Sequence, residues 1–145
     1  MSSDHRVVGY VPGVFDMFHI GHLNILRRSR ERCDWLIAGV VDDETVIAMK
    51  GHPPIVPLAE RLEVVASNRF VDQVVTAHSA DKREAWYEHE FDVVFKGNDW
   101  LDTDKGRLLE EQMSEIGVRV EYLPYTKNTS STVLRNTLEQ IETAL

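Results

Sequence analysis

Two stretches of the chain, residues 7–11 and 35–41, are apolar without interruption. Continuous apolar runs, as opposed to alternating ones, mark strands buried on both faces of a parallel sheet. Between them lies a helical pattern at residues 23–32, which makes a βαβ unit with a right-handed crossover. After Asp42-Asp43-Glu44 the pattern predicts a short helical piece at 45–49. A loop follows, Lys50-Gly51-His52-Pro53-Pro54, in which a glycine and two prolines forbid regular structure. Pro57 is expected at the first position of the next helix, which runs to about residue 68, because a first helical residue needs no N–H. Then come a strand at 73–76, a polar turn with Lys82 and Arg83, a helix at 84–90, a strand at 92–96, a loop at 97–104 and a helix at 105–116. Gly117 stops that helix. A fifth strand at 118–122, a loop at 123–130 and a last helix at 131–144 complete the pattern.

Strands that alternate with helices predict an α/β chain, a single-domain, Rossmann-like, doubly wound parallel sheet of five strands over residues 1–145. In such sheets ligands sit beyond the carboxyl ends of the strands, where the strand order reverses. Four polar segments fall at such ends: 12–22, 42–52, 97–99 and 123–131. Composition narrows the choice of partner. With 16 basic and 24 acidic residues the formal charge is −8, which argues against a life on nucleic-acid backbones or anionic membranes, so any nucleotide site must gather its cations locally. The single cysteine, Cys33, excludes an internal disulfide framework and suits a reducing, cytoplasmic setting. No apolar run is long enough to span a membrane, and the polar start, Met1 to Arg6, is unlike a signal peptide.

The densest chemistry lies in Pro12-Gly13-Val14-Phe15-Asp16-Met17-Phe18-His19-Ile20-Gly21-His22, at the turn from the first strand to the first helix. The first N–H groups of a helix lack internal partners and the helix dipole adds positive charge, so this is a place for a phosphate. His19 and His22 are spaced so that both rings can reach one phosphate, and Gly21 keeps the backbone approachable. Other readings of the pair are ordinary structural histidines or half of a metal site. Zinc wants about four ligands, and Cys33 lies at the far end of the same helix.

Gly13-Val14-Phe15-Asp16-x-x-His19-x-Gly21-His22 resembles the first signature of the nucleotidylyltransferases, with its His-x-Gly-His core. Thr129-Ser130-Ser131-Thr132-Val133-Leu134-Arg135 resembles their second, Ile-Ser-Ser-Thr-x-x-Arg. The likeness extends to the glycerol-3-phosphate cytidylyltransferase type through Asp42-Asp43-Glu44, Lys50, Arg61, the run from Arg69 to Val74 and Gly97-Asn98-Asp99-Trp100. Lys50-Gly51-x-Pro53-Pro54 is also similar to the ethanolamine-phosphate cytidylyltransferases.

The resemblance implies transfer of CMP from CTP, with Mg²⁺, to glycerol 3-phosphate or a similar small phosphorylated alcohol. Phosphoethanolamine, phosphocholine and ATP-dependent transfer are alternatives, as is a nucleotide-binding module without turnover. It implies a homodimer with the first helix near the interface. It assigns His19, His22, Lys50 and Arg69 to catalysis. Val14, Phe15, Asp16, Gly21, Gly97, Asp99, Thr126, Ser130, Ser131, Thr132 and Arg135 go to the nucleotide, and Lys50 with Lys82 to the acceptor. Asp16 can equally accept N–H bonds within its own turn, and Arg61 can be a structural ion-pair residue. Asp99 can cap a turn, Trp100 is expected to pack, and Arg83 can stand in for Lys82. Among the positions that depart from the family pattern, Val14 replaces a Thr, His52 a second lysine, Asn128 a Gly whose left-handed conformation Asn tolerates, and Tyr125 an Arg, for which Lys127 or Arg135 can compensate.

Overall fold

The computed structural model describes residues 5–126 and 130–144. Five strands, β1 (Val8–Gly13), β2 (Trp35–Val41), β3 (Gln73–Ala77), β4 (Val93–Gly97) and β5 (Arg119–Leu123), form one parallel sheet in the order β3-β2-β1-β4-β5. Six helices connect or follow them: α1 (Ile20–Arg30), α2 (Asp43–Lys50), α3 (Leu58–Ala66), α4 (Lys82–His89), α5 (Asp104–Glu115) and α6 (Ser131–Ala144). This is the expected Rossmann-like sheet. The strand order reverses between β1 and β4, which places the turn after β1 at the switch point.

Alternation along the strands divides the core between two layers. Val11, Leu36, Val40 and Phe95 pack on one face with Leu26 of α1 and Val65 of α3. Tyr10, Ile37 and Val94 pack on the other with Leu109 and Met113 of α5, and with Ala85 and Trp86 of α4 at the margin. Gly39 permits this second layer, since a Cβ there would collide with the Tyr10 ring.

Aspartates seal the amino ends of the strands. Asp34, Asp72 and Asp92 each precede a strand and each accepts, at 2.8 Å, a backbone N–H of the neighbouring chain segment: Val7, Leu36 and Val8 in turn. Negative charge is thereby drawn to the end of the sheet away from the ligand edge.

Several boundaries differ from the sequence expectation. β1 runs on through Pro12 and Gly13, because Pro12 lies in register with Gly39 of β2. Pro57 caps α3 from outside, with φ −66° and ψ 156°, one position earlier than expected. Within the loop after β4, residues Asn98–Trp100 form a 3-10 turn. Gly117 ends α5 as expected, with a left-handed φ of 70°.

Candidate active site

The turn from β1 to α1 has an uncommon backbone: Phe15 and Met17 take left-handed φ values of 54° and 49°. Such conformations cost about 1–3 kcal/mol each in non-glycine residues and persist where the surroundings hold them. Here the surroundings are aromatic. Phe15 is 4% exposed, and its ring centroid lies 5.4 Å from that of His22; Phe18 flanks His22 at 5.4 Å as well. Phe15, assigned above to the nucleotide, is buried against the His22 ring and not open to a ligand.

His19 is the N-cap of α1. Its Nδ1 accepts the Gly21 N–H at 3.0 Å, and Nδ1 of His22 accepts the His19 N–H at 3.3 Å. Two imidazoles thus close the reciprocal box that Ser or Thr and Glu or Gln usually make. A ring nitrogen that accepts carries no proton, so both rings hold theirs on Nε2. Burial between the phenyl rings, with His19 adjacent at a ring separation of 4.0 Å, pushes the His22 pKa down to about 3. Burial also lowers that of His19. At neutral pH the turn presents two uncharged Nε2–H donors. The Gly21 N–H, one of the helix-start donors expected to face a phosphate, is committed to the His19 ring, and the His19 N–H to the His22 ring.

Ser131, at the start of α6, donates from Oγ to the Asp16 carbonyl at 2.5 Å, and the same oxygen lies 3.5 Å from Nε2 of His19. At 3.5 Å that contact is at the outer limit of a hydrogen bond, so the His19 Nε2–H stays available to a closer acceptor. Ser130 caps α6 by accepting the Val133 N–H at 3.1 Å, while Thr132 is exposed. Lys127, Asn128 and Thr129 lie outside the described residues.

Asp16 is 2% exposed and makes none of the short-range turn bonds considered for it. Its carboxylate accepts the Ile55 and Val56 N–H groups and the Arg135 guanidinium, each at 2.9 Å. One side chain therefore ties the turn after β1 to the loop before α3 and to α6. Lys50, the last residue of α2, completes this side: partial withdrawal from water and the nearby Arg135 lower its pKa, and Asp16 opposes the shift. Arg61, 1% exposed, is structural. It donates to the carbonyls of Val14, Val41 and Val56 at 2.7–2.8 Å and pairs with Asp43. The Val14 carbonyl is thus occupied, and its side chain packs with Val41, Val46 and Ala77.

Across the strand edge, Asp99 folds back so that a Cβ on Gly97 would come within 2.6 Å of its Oδ1. The Tyr125 N–H donates to Asn98 Oδ1 at 3.2 Å, and Thr126 Oγ1 accepts from Asn24 Nδ2 at 2.9 Å, which ties the segment after β5 to both sides of the site. Lys82 lies 5.6 Å from the Trp100 ring centroid. Its alternative, Arg83, is held by Asp81 and Glu115.

One assignment is not brought here. Arg69 precedes β3 at the amino end of the sheet, its guanidinium 5.1 Å from the Phe70 ring centroid. The parallel connection places it at the opposite pole from His19.

Two lysines were missed. Lys96, the penultimate residue of β4, lies 3.9 Å from the Trp100 ring centroid, and Lys105 of α5 lies 5.8 Å from it. Desolvation, with Lys82 beside it, pulls the Lys96 pKa down to about 7. The signal was available: every described lysine, 50, 82, 96 and 105, falls at or after the carboxyl end of a strand.

A family model described as cytidylyltransferase-like matches residues 10–137. The chain belongs to the cytidylyltransferase-like family. The match takes in the His19–His22 turn, every described lysine and the Ser131–Arg135 segment. Among curated relatives, FAD synthase of Pyrococcus abyssi (strain GE5 / Orsay) is 40% identical over 128 residues, covering 86% of this chain and 85% of that protein. Ethanolamine-phosphate cytidylyltransferase of Arabidopsis thaliana is 41% identical over 95 residues, 62% of this chain and 22% of that protein. Among solved structures, the lipopolysaccharide core biosynthesis protein from Thermoplasma volcanium GSS1 superimposes with a TM-score of 0.70 at 26% identity, over 86% of this chain and 99% of that one. As a member of this family the protein is a nucleotidyltransferase. Among the described residues no helix is long and apolar enough to cross a membrane.

Proposed function

We propose that this cytidylyltransferase-like protein transfers CMP from CTP to the phosphate of a small phosphorylated alcohol, with glycerol 3-phosphate and phosphoethanolamine the leading acceptors. An acceptor phosphate oxygen attacks the α-phosphorus in line, one P–O bond forms, the bond to pyrophosphate breaks, and no protein nucleophile is needed. The observation that carries this reading is the pair of neutral imidazoles. Their Nε2–H groups are fixed by backbone acceptance at Nδ1 and stand beside Ser131, Lys50 and Arg135. Donors preset for a charge that develops on phosphoryl oxygens stabilise the transition state without reorganising.

The acceptor's size is read from a cavity of about 170 Å³ at the carboxyl ends of β1 to β3, lined by Thr76, His78, Ser79, Asp81, Lys82 and Glu88 among others. It lies below the roughly 300–1,000 Å³ of drug-sized sites, and its lining mixes polar side chains with apolar ones such as Tyr10, Val41 and Ala85. A short alcohol with Lys82 at its phosphate suits it. Mg²⁺ carried by the triphosphate would neutralise part of its charge. Protein usually adds one or two carboxylates to such an ion; Asp16 is already filled by three donors, which leaves the exposed Asp99. A second reading, adenylyl transfer from ATP to FMN, draws on the 40% identity to FAD synthase.

The test is His19→Asn. Asn is a good N-cap and preserves α1, but it carries no donor at the reach of Nε2. The expected result is a fall of about 10²–10³ in kcat for pyrophosphate release, with CTP affinity changed less than about threefold. An unchanged kcat, or a loss confined to CTP affinity, would contradict transfer at this turn.

A further inference from the structure

The lysines pose a problem that the transfer chemistry at His19 and His22 does not resolve. In a chain of formal charge −8, ammonium groups should find carboxylates easily. Yet among the described residues every ion pair is made by an arginine or a histidine and none by a lysine. Three of the described lysines instead gather at one aromatic ring, and Lys82 among them donates to the Ala80 carbonyl at 2.9 Å with Asp81 as its neighbouring carboxylate. Lys96 from β4, Lys82 from α4 and Lys105 from α5 stand 3.9, 5.6 and 5.8 Å from the centroid of one indole, Trp100. Lys50 from α2 is within electrostatic reach, and Asp99 of the 3-10 turn is the one carboxylate that acts on Lys96 in the opposite sense. Like charges gathered in a partly dry place cost free energy unless an anion joins them. The indole face offsets part of that cost.

The cluster also lies on a definite side. Val94 packs in the layer with Leu109 and Met113, and alternation along β4 sends Lys96 to the same α4 and α5 face. The His19 turn belongs to the α1 face. Lys82 lines the small cavity as well. In-line attack requires the acceptor and the leaving pyrophosphate on opposite sides of the α-phosphorus; with the triphosphate assigned to the His19 turn, the cluster on the other face, which shares Lys82 with the cavity, is the side left for the acceptor.

We propose that Lys96, Lys82 and Lys105, gathered around Trp100, bind the acceptor's phosphate monoester as a dianion, and that Lys96 takes a proton from solvent when that phosphate arrives. The inference rests on the transfer reading above for the identity of the ligand. Its physical basis does not depend on turnover. With its pKa lowered to about 7 by desolvation and by Lys82, Lys96 is largely neutral in the empty site at slightly alkaline pH. A dianion beside it favours the ammonium form, so binding and protonation are coupled. No proton passes to or from the phosphate, which keeps its attacking oxygen unprotonated.

The experiment is calorimetric titration of inorganic phosphate at about pH 8, in two buffers of different ionisation enthalpy, with sulfate as a control that has no proton to exchange. The wild-type protein is expected to take up between half and one proton per phosphate or sulfate bound. Lys96→Arg, whose guanidinium stays charged, should bind either anion with no uptake. Lys96→Met should bind them at least tenfold more weakly, with CTP affinity unchanged. Lys96→Met removes a desolvated amine and should not lower the melting temperature, which separates lost binding from lost folding. Uptake that persists in Lys96→Arg, CTP affinity that falls in step with phosphate affinity in Lys96→Met, or wild-type protein that binds neither anion would overturn the proposal. The two readings fail differently. Proton-linked phosphate binding without pyrophosphate release from any acceptor would sink the transfer reading alone. Pyrophosphate release with phosphate binding indifferent to Lys96 would sink this one alone.

Discussion

His22 serves two ends through one nitrogen. By accepting the His19 N–H at Nδ1 it finishes the helix cap, and by doing so it fixes its own proton on Nε2, where phosphoryl oxygens are to be met. The phenyl rings of Phe15 and Phe18 keep it neutral, with a pKa of about 3. That shift has a sign for stability. The folded-state value lies below the unfolded value of about 6.5, so between these two the unfolded chain binds more protons. Stability from this residue is complete above about pH 6.5 and is lost as pH falls toward 3, by up to about 1.4 kcal/mol per pH unit. His22→Gln keeps an acceptor for the cap, as Gln does in an ordinary capping box, and cannot titrate. Urea melts of both proteins from pH 7 to pH 4 should show a shallower acid loss in the variant. Matching slopes would mean that His22 is not the neutral group described here.

At the scale of elements, the site is made where segments from distant parts of the chain are pinned to one another. Asp16 joins the turn after β1, the loop before α3 and α6. Arg61 does the same from α3 toward the ends of β1 and β2. The acceptor side depends on α5 in a comparable way. Thr103 caps α5 by accepting the Gly106 N–H at 3.1 Å, and Gly106 sits so close to the Trp100 carbonyl that a Cβ would overlap it. Gly106→Ala must push the 3-10 turn and its indole away from the lysines. A loss of about 1–3 kcal/mol of stability is expected from the overpacking, with an acceptor KM raised about tenfold and the CTP KM unchanged. Equal changes in both KM values would show that Trp100 does not organise the acceptor side alone.

Across the whole molecule, charge is sorted along the strands: the aspartates before β2, β3 and β4 seal the amino edge, and every described lysine stands at the carboxyl edge. Much of this was legible in the sequence. Continuous apolar runs marked β1 and β2, and the alternation of strands with helices marked the sheet, because both follow from local patterning. The His19 turn was visible for the same reason, as a motif contiguous in the chain. What was hidden depends on contacts between remote segments. The partners of Asp16, at Ile55, Val56 and Arg135, have no local signature. Arg69 was assigned to the site from its motif alone, although its place before β3 puts it at the far pole. Lys96 was overlooked because a lysine inside an apolar strand announces nothing until α4 and α5 bring Lys82 and Lys105 beside it.

The central claim is that this edge joins a nucleotide to a small phosphate. The most direct measurement is pyrophosphate release from CTP and from ATP, with Mg²⁺, against glycerol 3-phosphate, phosphoethanolamine, phosphocholine and FMN. Release that requires CTP together with one of the small phosphates is the result expected from the neutral histidine pair, the lysine cluster and the small cavity beside it. Release confined to ATP with FMN, or none with any pair while CTP still raises the melting temperature, would contradict it.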